Sequence, residues 1–339
     1  MTAVTGIPTT ILLAPDSFKG TFSAVEVAAA IARGLEAAGW PVDPCPVADG
    51  GEGTLAALLG ALGGELVHAA VEDPLGRVVE ASFALTGGGA GARGAEPVAV
   101  VETASASGLG LVAETDRDPV AASTRGTGQL IVAAVEAGAR SVLLGVGGSA
   151  TTDGGAGAVA AIREAGGLAG ARLTVLCDVQ TPFEDAARVY AAQKGADRDA
   201  VRRLTRRLGD HARRLPRDPR GVPMTGAAGG LSGGLWASFG AELVAGAAFV
   251  LDTLGFDPRM RAARAVVTGE GRLDRQSLAG KAVSEVATRA RQAGVPCHAI
   301  VGEGRLDAFG ARILDLQAIL EASTLAEIEA AAVELGALL

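Results

Sequence analysis

Apolar and polar positions alternate along this chain on the scale of whole elements. A short apolar run is followed by a Gly- or Asp-bearing turn and then by a stretch with helical spacing. Residues 11–14 are the first such run and predict a buried strand. After the turn, Ser23 and Glu26 have the spacing of a capping box. Val27, Ile31 and Leu35 then recur at helical spacing, and Gly39 stands where a C-cap belongs. The same grammar returns at 141–146, 173–177, 265–268 and 296–301, each run leading into a helical pattern. Strand–helix alternation of this kind predicts a largely parallel sheet with both faces covered.

Two segments break the rhythm. Residues 197–220 are Arg-rich, with Arg202, Arg203, Arg206 and Arg207 set among Leu204 and Leu208. Aromatic residues are missing there and Asp residues are interleaved, so a solvated helix face is expected rather than a nucleic-acid patch. Residues 87–94, GGGAGARG, read as a flexible turn in a second, more antiparallel region. No long internal repeat or low-complexity tail is visible.

Composition narrows the class. A length of 339 residues, at about 100–200 residues per domain, suggests two domains. Hydrophobic residues make up 49% but aromatics only 3%, so Ala, Val and Leu must fill the core. The 49 glycines fall in short clusters without a triplet period, which argues for many tight turns in an ordered protein. A net charge of −8 opposes general binding to nucleic acid or anionic membrane, yet leaves room for a locally positive cleft. Cys45, Cys177 and Cys297 are far apart and are expected to be small buried thiols, neither disulfides nor zinc ligands. The first residues lack the pattern of a signal peptide, and the most apolar stretch, 235–251, contains Glu242 and several Gly. A soluble, cytoplasmic protein is expected.

The turns after the apolar runs carry the candidate chemistry, because open α/β sheets bind ligands there. Ser17, Lys19 and Thr21 lie between the first strand and a capped helix, a setting for an anion or for an ordinary turn with an exposed lysine. Asp49 and Glu52 stand in a Gly-rich turn opening a helix around 55–62; they suit Mg²⁺ or a substrate hydroxyl, or simply a helix start. The run 147–155 combines Gly148, Ser149 and Asp153 at a helix N-terminus, where Asp153 either ligates Mg²⁺ or caps. Asp178 ends a strand, and Lys194 beyond it either reaches a phosphate or lies on the surface. The densest turn holds Glu270, Arg272, Asp274, Arg275 and Gln276, with Lys281 opening the next helix. His68, His211 and His298 are isolated, without metal-ligand spacing or a nucleophile elbow, so zinc hydrolysis and Ser-His-Asp chemistry are poor fits. His298, within an apolar strand, is expected to be a satisfied core residue. Acidic turns with single lysines and helix N-termini are what phosphoryl transfer needs.

Taken in order, APDSFKGT (14–21), ADGGEGT (48–54), GGSATTDGG (147–155), CDV (177–179), QKGA (193–196), GAAGGLSGG (226–234) and TGEGRLDRQSLAGK (268–281) resemble the bacterial glycerate kinase family. The resemblance runs over nearly the whole chain. It implies two α/β domains: a flavodoxin-like one with a parallel sheet from both chain ends (1–75 plus 262–339), and a central restriction-enzyme-like one (76–261). It further implies an active site in an interdomain cleft, ATP and Mg²⁺ as cosubstrate and cofactor, D-glycerate as acceptor and 2-phosphoglycerate as product. On that reading Lys19 and Lys281 contact anionic groups, and the 147–153 loop cradles phosphate or carboxylate. Asp49, Glu52 and Asp274 ligate Mg²⁺ or activate the hydroxyl, and Ser17, Thr21, Asp178, Lys194 and Glu270 complete the binding set. A monomer or homodimer is expected, with no nucleic-acid or membrane partner. The chain departs from the family at Thr181–Pro182–Phe183–Glu184–Asp185, where the loop is shorter, and at Arg275 and Ser277. A kinase for another small hydroxy acid, or a non-catalytic relative that binds glycerate or nucleotide, are the rival readings.

Overall fold

The computed structural model of the chain describes residues 9–87, 96–278 and 280–339. Most of the glycine-rich turn at 87–94 therefore lies outside the described residues. The strands, in chain order, are β1 (Ile11–Pro15), β2 (Val42–Pro44), β3 (Glu65–Glu72), β4 (Val78–Thr86), β5 (Val98–Glu102), β6 (Ser141–Gly145) and β7 (Arg172–Cys177). There follow β8 (Glu242–Ala245), β9 (Ala265–Gly269), β10 (Arg272–Leu273), β11 (Cys297–Val301), β12 (Glu303–Gly304) and β13 (Leu316–Glu321). The strands expected from the apolar runs are β1, β6, β7, β9 and β11, each matched to within a residue at either end.

The chain divides into two compact units, one built from residues up to Asp49 and from Ala247 onward, the other from Gly50–Gly246. These boundaries fall earlier than the expected ones near 75 and 262. Residues 50–75 belong to the second unit because β3 pairs with β4 and the helix Thr54–Leu62 packs on β4 and β5.

In the first unit β2, β1, β9, β11 and β13 lie side by side and all pair in parallel. Counted within the unit this order is 2-1-3-4-5, that of flavodoxin-like sheets. Alternation along β1 feeds two cores. Ile11 and Leu13 pack with Val27, Ile31 and Leu35 of the helix Ala24–Ala37 and with Ile328 of the helix Leu325–Gly336. Leu12 and Ala14 pack on the other face with Val283 and Val286 of the helix Ala282–Ala293. The helix Ala24–Ala37 starts with the expected reciprocal capping box between Ser23 and Glu26. Its Gly34 abuts the Leu325–Gly336 helix so closely that a Cβ there would stand 2.2 Å from the Glu329 carbonyl oxygen.

The second unit carries a mixed sheet in the order β3-β4-β5-β6-β7-β8. The pairs β3–β4 and β4–β5 are antiparallel, the rest parallel, so the more antiparallel region is at the start of this unit. Its main core gathers Phe83, Val101, Leu130, Leu144, Val175 and Leu231. A satellite core buries Leu204 and Leu208 of the helix Arg198–Ala212 against Phe183 and Ala187. Arg202, Arg203 and Arg206 form the expected exposed face of that helix. Arg207 does not: its guanidinium donates to the carbonyls of Val120 (2.6 Å) and Thr152 (2.9 Å). The unit opens and closes at adjoining points, since a Cβ on Gly50 would lie 3.1 Å from Gly246 Cα. The three cysteines are free and buried. No helix among the described residues is long and apolar enough to cross a membrane.

Candidate active site

Each unit has a cavity at the carboxyl ends of its parallel strands. In the first unit, β1 pairs with β9 in register from Ile11↔Ala265 to Pro15↔Gly269. The next residues of the two strands, Asp16 and Glu270, are thereby delivered to the same edge, with the Asp16 amide donating to the Gly269 carbonyl (2.8 Å). The β1/β9 boundary is where the strand order reverses, the switch point at which such sheets bind ligands. A cavity of about 490 Å³ opens there, lined by Asp16, Ser17, Lys19, Glu270, Asp274 and Lys281 among others. Gly269 is required beside it, because a Cβ would stand 2.2 Å from the Ile300 carbonyl oxygen.

The acids in this cavity are under electrostatic tension. Asp16 is buried, and burial, followed by the neighbouring Asp49 charge, pushes its carboxyl up to about 8. Lys19 and the Ser17 amide, which donates to Asp16 Oδ1 at 2.6 Å, pull the other way. Burial likewise raises Glu270 to about 7 against a hydrogen bond from Ser277 and the charges of Lys281 and Lys19. Glu270 Oε1 and Ser17 Oγ are buried without a hydrogen-bond partner. Lys19 Nζ lies 3.4 Å from the buried Asp49 Oδ2. Thr21 turns its hydroxyl to the Phe18 carbonyl (2.7 Å). Asp274 shapes its own turn, accepting from the Gln276 amide at Oδ1 (2.8 Å), while the Ser277 hydroxyl accepts from the Asp274 amide (3.0 Å). The departures thus fall differently: Ser277 supports the turn, and Arg275 is exposed.

The second unit has a cavity of about 260 Å³ beyond β6 and β7, lined by Gly147, Gly148, Ser149, Asp178, Tyr190 and Lys194 among others. Gly147 admits a close backbone approach, as a Cβ would stand 2.4 Å from Gly51 Cα. Of the two readings open for Lys194, the surface lysine is excluded: it is only 3% exposed. Its ammonium donates to Ser149 Oγ (2.9 Å) and to the Thr151 carbonyl (2.6 Å). Burial pulls it down to about 7, with Asp153 and Asp178 opposing.

Asp153 is occupied by structure. Its Oδ2 accepts from the Thr124 amide and hydroxyl and from the Gly157 amide, its Oδ1 from the Gly155 amide, at 2.8–3.0 Å. It takes up amides at the start of the helix Ala156–Glu164, whose N-cap is Gly155, and is absent from the cavity wall. Glu52 is exposed, and a carboxylate passed over in the sequence, Glu102, accepts from the Leu55 amide at 2.8 Å near the start of the Thr54–Leu62 helix. Burial raises Glu102 to about 7. The GAAGGLSGG run is a packing device. Ala228, Gly229 and Gly230 are left-handed, and a Cβ on Gly229 would stand 2.1 Å from the Thr151 carbonyl oxygen. The altered loop is anchored as well: the Phe183 amide donates to Thr225 Oγ1 (3.0 Å), and Thr181 Oγ1 shares a 2.7 Å hydrogen bond with the Tyr190 hydroxyl. His298, expected to be satisfied, is buried with Nδ1 unpartnered.

The family model described as the glycerate kinase family matches residues 11–165 and 164–335. The chain belongs to the glycerate kinase family. It is 39% identical to the glycerate kinase of Halalkalibacterium halodurans, over 86% of this chain and 85% of that one. It is 38% identical to the glycerate 2-kinase of Escherichia coli, over 86% and 84%. The crystal structure of a Salmonella typhimurium protein assigned as a glycerate kinase 2 superposes with a TM-score of 0.79 at 34% identity, covering 97% of this chain and 98% of that one. The chain is therefore an enzyme, a kinase of this family, with a small-molecule acceptor. The family stretches APDSFKGT and TGEGRLDRQSLAGK supply the first cavity, and GGSATTDGG and QKGA the second.

Proposed function

We propose that the chain transfers the γ-phosphoryl group of ATP to D-glycerate, giving 2-phospho-D-glycerate and ADP, with Mg²⁺ as cofactor. The observation that carries the nucleotide side is the pair Asp16 and Glu270, buried together at the sheet's switch point and flanked by Lys19 and Lys281. The acceptor and the product follow from the family and from the glycerate 2-kinase relative.

Among the described residues no three His, Cys, Asp or Glu side chains form a ready metal cage. Mg²⁺ does not ask for one, since it usually takes one or two carboxylates and completes its shell with phosphate oxygens and water. The unpartnered Glu270 Oε1 and the adjacent Asp16, two buried carboxyls whose ionised forms are disfavoured until a cation joins them, are a donor set of that kind. Asp16 and Glu270 would hold the ion, with Asp274 on the cavity wall as a further oxygen donor. Bound there, Mg²⁺ neutralises phosphate charge and orients the phosphate chain. Lys19 and Lys281 bind phosphate oxygens as point charges. Asp49 keeps Lys19 in place through their ion pair.

The test is turnover of purified protein with ATP, Mg²⁺ and D-glycerate, with the product identified by phosphorus NMR. Formation of 2-phosphoglycerate supports the reading, and 3-phosphoglycerate overturns its regiochemistry. ADP formed with another hydroxy acid but not with D-glycerate assigns a different acceptor. No turnover with any acid overturns the proposed reaction as a whole. Glu270→Gln is expected to raise the Mg²⁺ concentration for half-maximal rate by about tenfold or more, in line with loss of one metal ligand. An unchanged requirement would remove Glu270 from the metal site.

A further inference from the structure

We infer that the cavity of the second unit is the acceptor subsite, in which Lys194 and Ser149 receive the carboxylate of a small 2-hydroxy acid and Asp178 receives its hydroxyl. This rests on the phosphoryl-transfer reading above and adds to it where, and by which group, the acid is recognised.

The ammonium of Lys194 is the central observation. It has three N–H donors, and two are used, on Ser149 Oγ and on the Thr151 carbonyl. Both partners are neutral. Of the carboxylates whose charge reaches Lys194, Asp153 is already saturated by four protein donors and does not line the cavity. A cation so deeply buried, with one donor left over and a cavity against it, is a site built for an anion. Burial alone holds the amine down to about 7, and an arriving carboxylate opposes that shift.

Size favours a small anion. Drug-sized ligands such as nucleotides fill about 300–1,000 Å³. The first unit's cavity, at about 490 Å³, is in that range, and this one, at about 260 Å³, is below it. A three-carbon acid with one carboxylate and two hydroxyls fits the smaller space and its polar wall of Ser149, Asp178, Tyr190, Gln193 and Lys194. In the reaction the acceptor oxygen forms a bond to the γ-phosphorus and the bond from that phosphorus to the bridging oxygen breaks, releasing ADP. The hydroxyl proton passes to the Asp178 carboxylate.

The experiment is steady-state kinetics on the full chain with D-glycerate and ATP varied separately. Lys194→Met is expected to raise KM for D-glycerate by about 30-fold or more while changing KM for ATP by less than about threefold, the loss typical of a buried charged contact. The preference of the wild type for D-glycerate over glycerol, which lacks the carboxylate, is expected to shrink by a similar factor. A merely structural lysine would leave that preference intact. Asp178→Asn is expected to lower kcat by about 100-fold with little change in KM for D-glycerate. An unchanged glycerate KM in Lys194→Met, or a rise in KM for ATP instead, overturns the inference. Should Lys194→Met not fold, Ser149→Ala decides: KM for D-glycerate rising about fivefold supports the subsite, and no change rejects it. If the wild type uses a different hydroxy acid, the proposed acceptor fails. The same comparison between that acid and its carboxylate-free alcohol then tests the cavity separately.

Discussion

Asp16 and Glu270 show how two ordinary turn residues become a site. In sequence, Asp16 follows a proline after an apolar run, and an Asp there is sufficiently explained by turn chemistry. Its place beside Glu270 in the cavity is visible only when β9 is laid beside β1, because the partner carboxylate is 254 positions away. Lys19, Glu270, Asp274 and Lys281 were legible because they lie in turns dense with charge and glycine. Lys194 was half legible: its motif marked it, but only burial separates a surface lysine from one enclosed against a cavity, and burial is a tertiary property. The acids also set a pH dependence. A carboxyl raised in the folded state binds its proton more tightly there than in the unfolded chain, so its contribution to stability is full below about 4. It is lost as pH rises through about 8 for Asp16 and about 7 for Glu270. Protein without metal and nucleotide is therefore expected to lose thermal stability from pH 5 to 9, and Asp16→Asn to flatten that slope. Differential scanning calorimetry across the range checks it; a slope identical in the variant would rule Asp16 out as its source.

At the scale of elements, local signals and close packing have different visibility. The capping box at Ser23–Glu26 and the apolar spacing through Leu35 announced the helix Ala24–Ala37, and that helix forms as read. Gly34, within it, gave no such signal. Helix propensity favours Ala over Gly by about 1 kcal/mol, yet a Cβ here would meet the Glu329 carbonyl at 2.2 Å and Ala332 Cβ at 2.6 Å. Neither atom is the far end of a flexible side chain, so one helix must move. Gly34→Ala is expected to destabilise the protein by about 1–3 kcal/mol, the range for overpacking, measured by urea unfolding. A gain in stability would show that the two helices are not seated as closely as described. The GAAGGLSGG stretch is a parallel case: it marked the family resemblance, and the structure shows its glycines bringing the backbone against Thr151 and Gly154. The shortened loop after Asp178 was legible as a departure. That it is tied down through Phe183 and Thr181 follows only from the packed structure.

For the whole molecule, the alternation of apolar runs sufficed for the class of fold and for the parallel strands β1, β6, β7, β9 and β11. The first antiparallel strands of the second unit, β3 and β4, escaped it. Half-exposed edge strands such as β3 have too few buried positions to make an apolar run. This is also why the boundary was expected too late, near 75, when the unit already begins at Gly50. Each unit has cores of its own, so residues 50–246 expressed alone are expected to unfold cooperatively in urea. A broad, non-cooperative transition would show that they need the rest of the chain.

The pairing of β1 with β9 has a consequence for how the protein is made. A ribosome delivers β1 and β2 early, but the neighbour of β1 on its other side emerges only after the whole of 50–246 has been synthesised. The first strands to appear are thus among the last to be sealed into a complete sheet, while the later-made middle can close first. Nascent chains arrested near residue 260 plus the length of the exit tunnel are expected to resist protease across 50–246 and to be cut within 9–49. Protection of both segments at that length would mean that β1 and β2 find another partner while they wait.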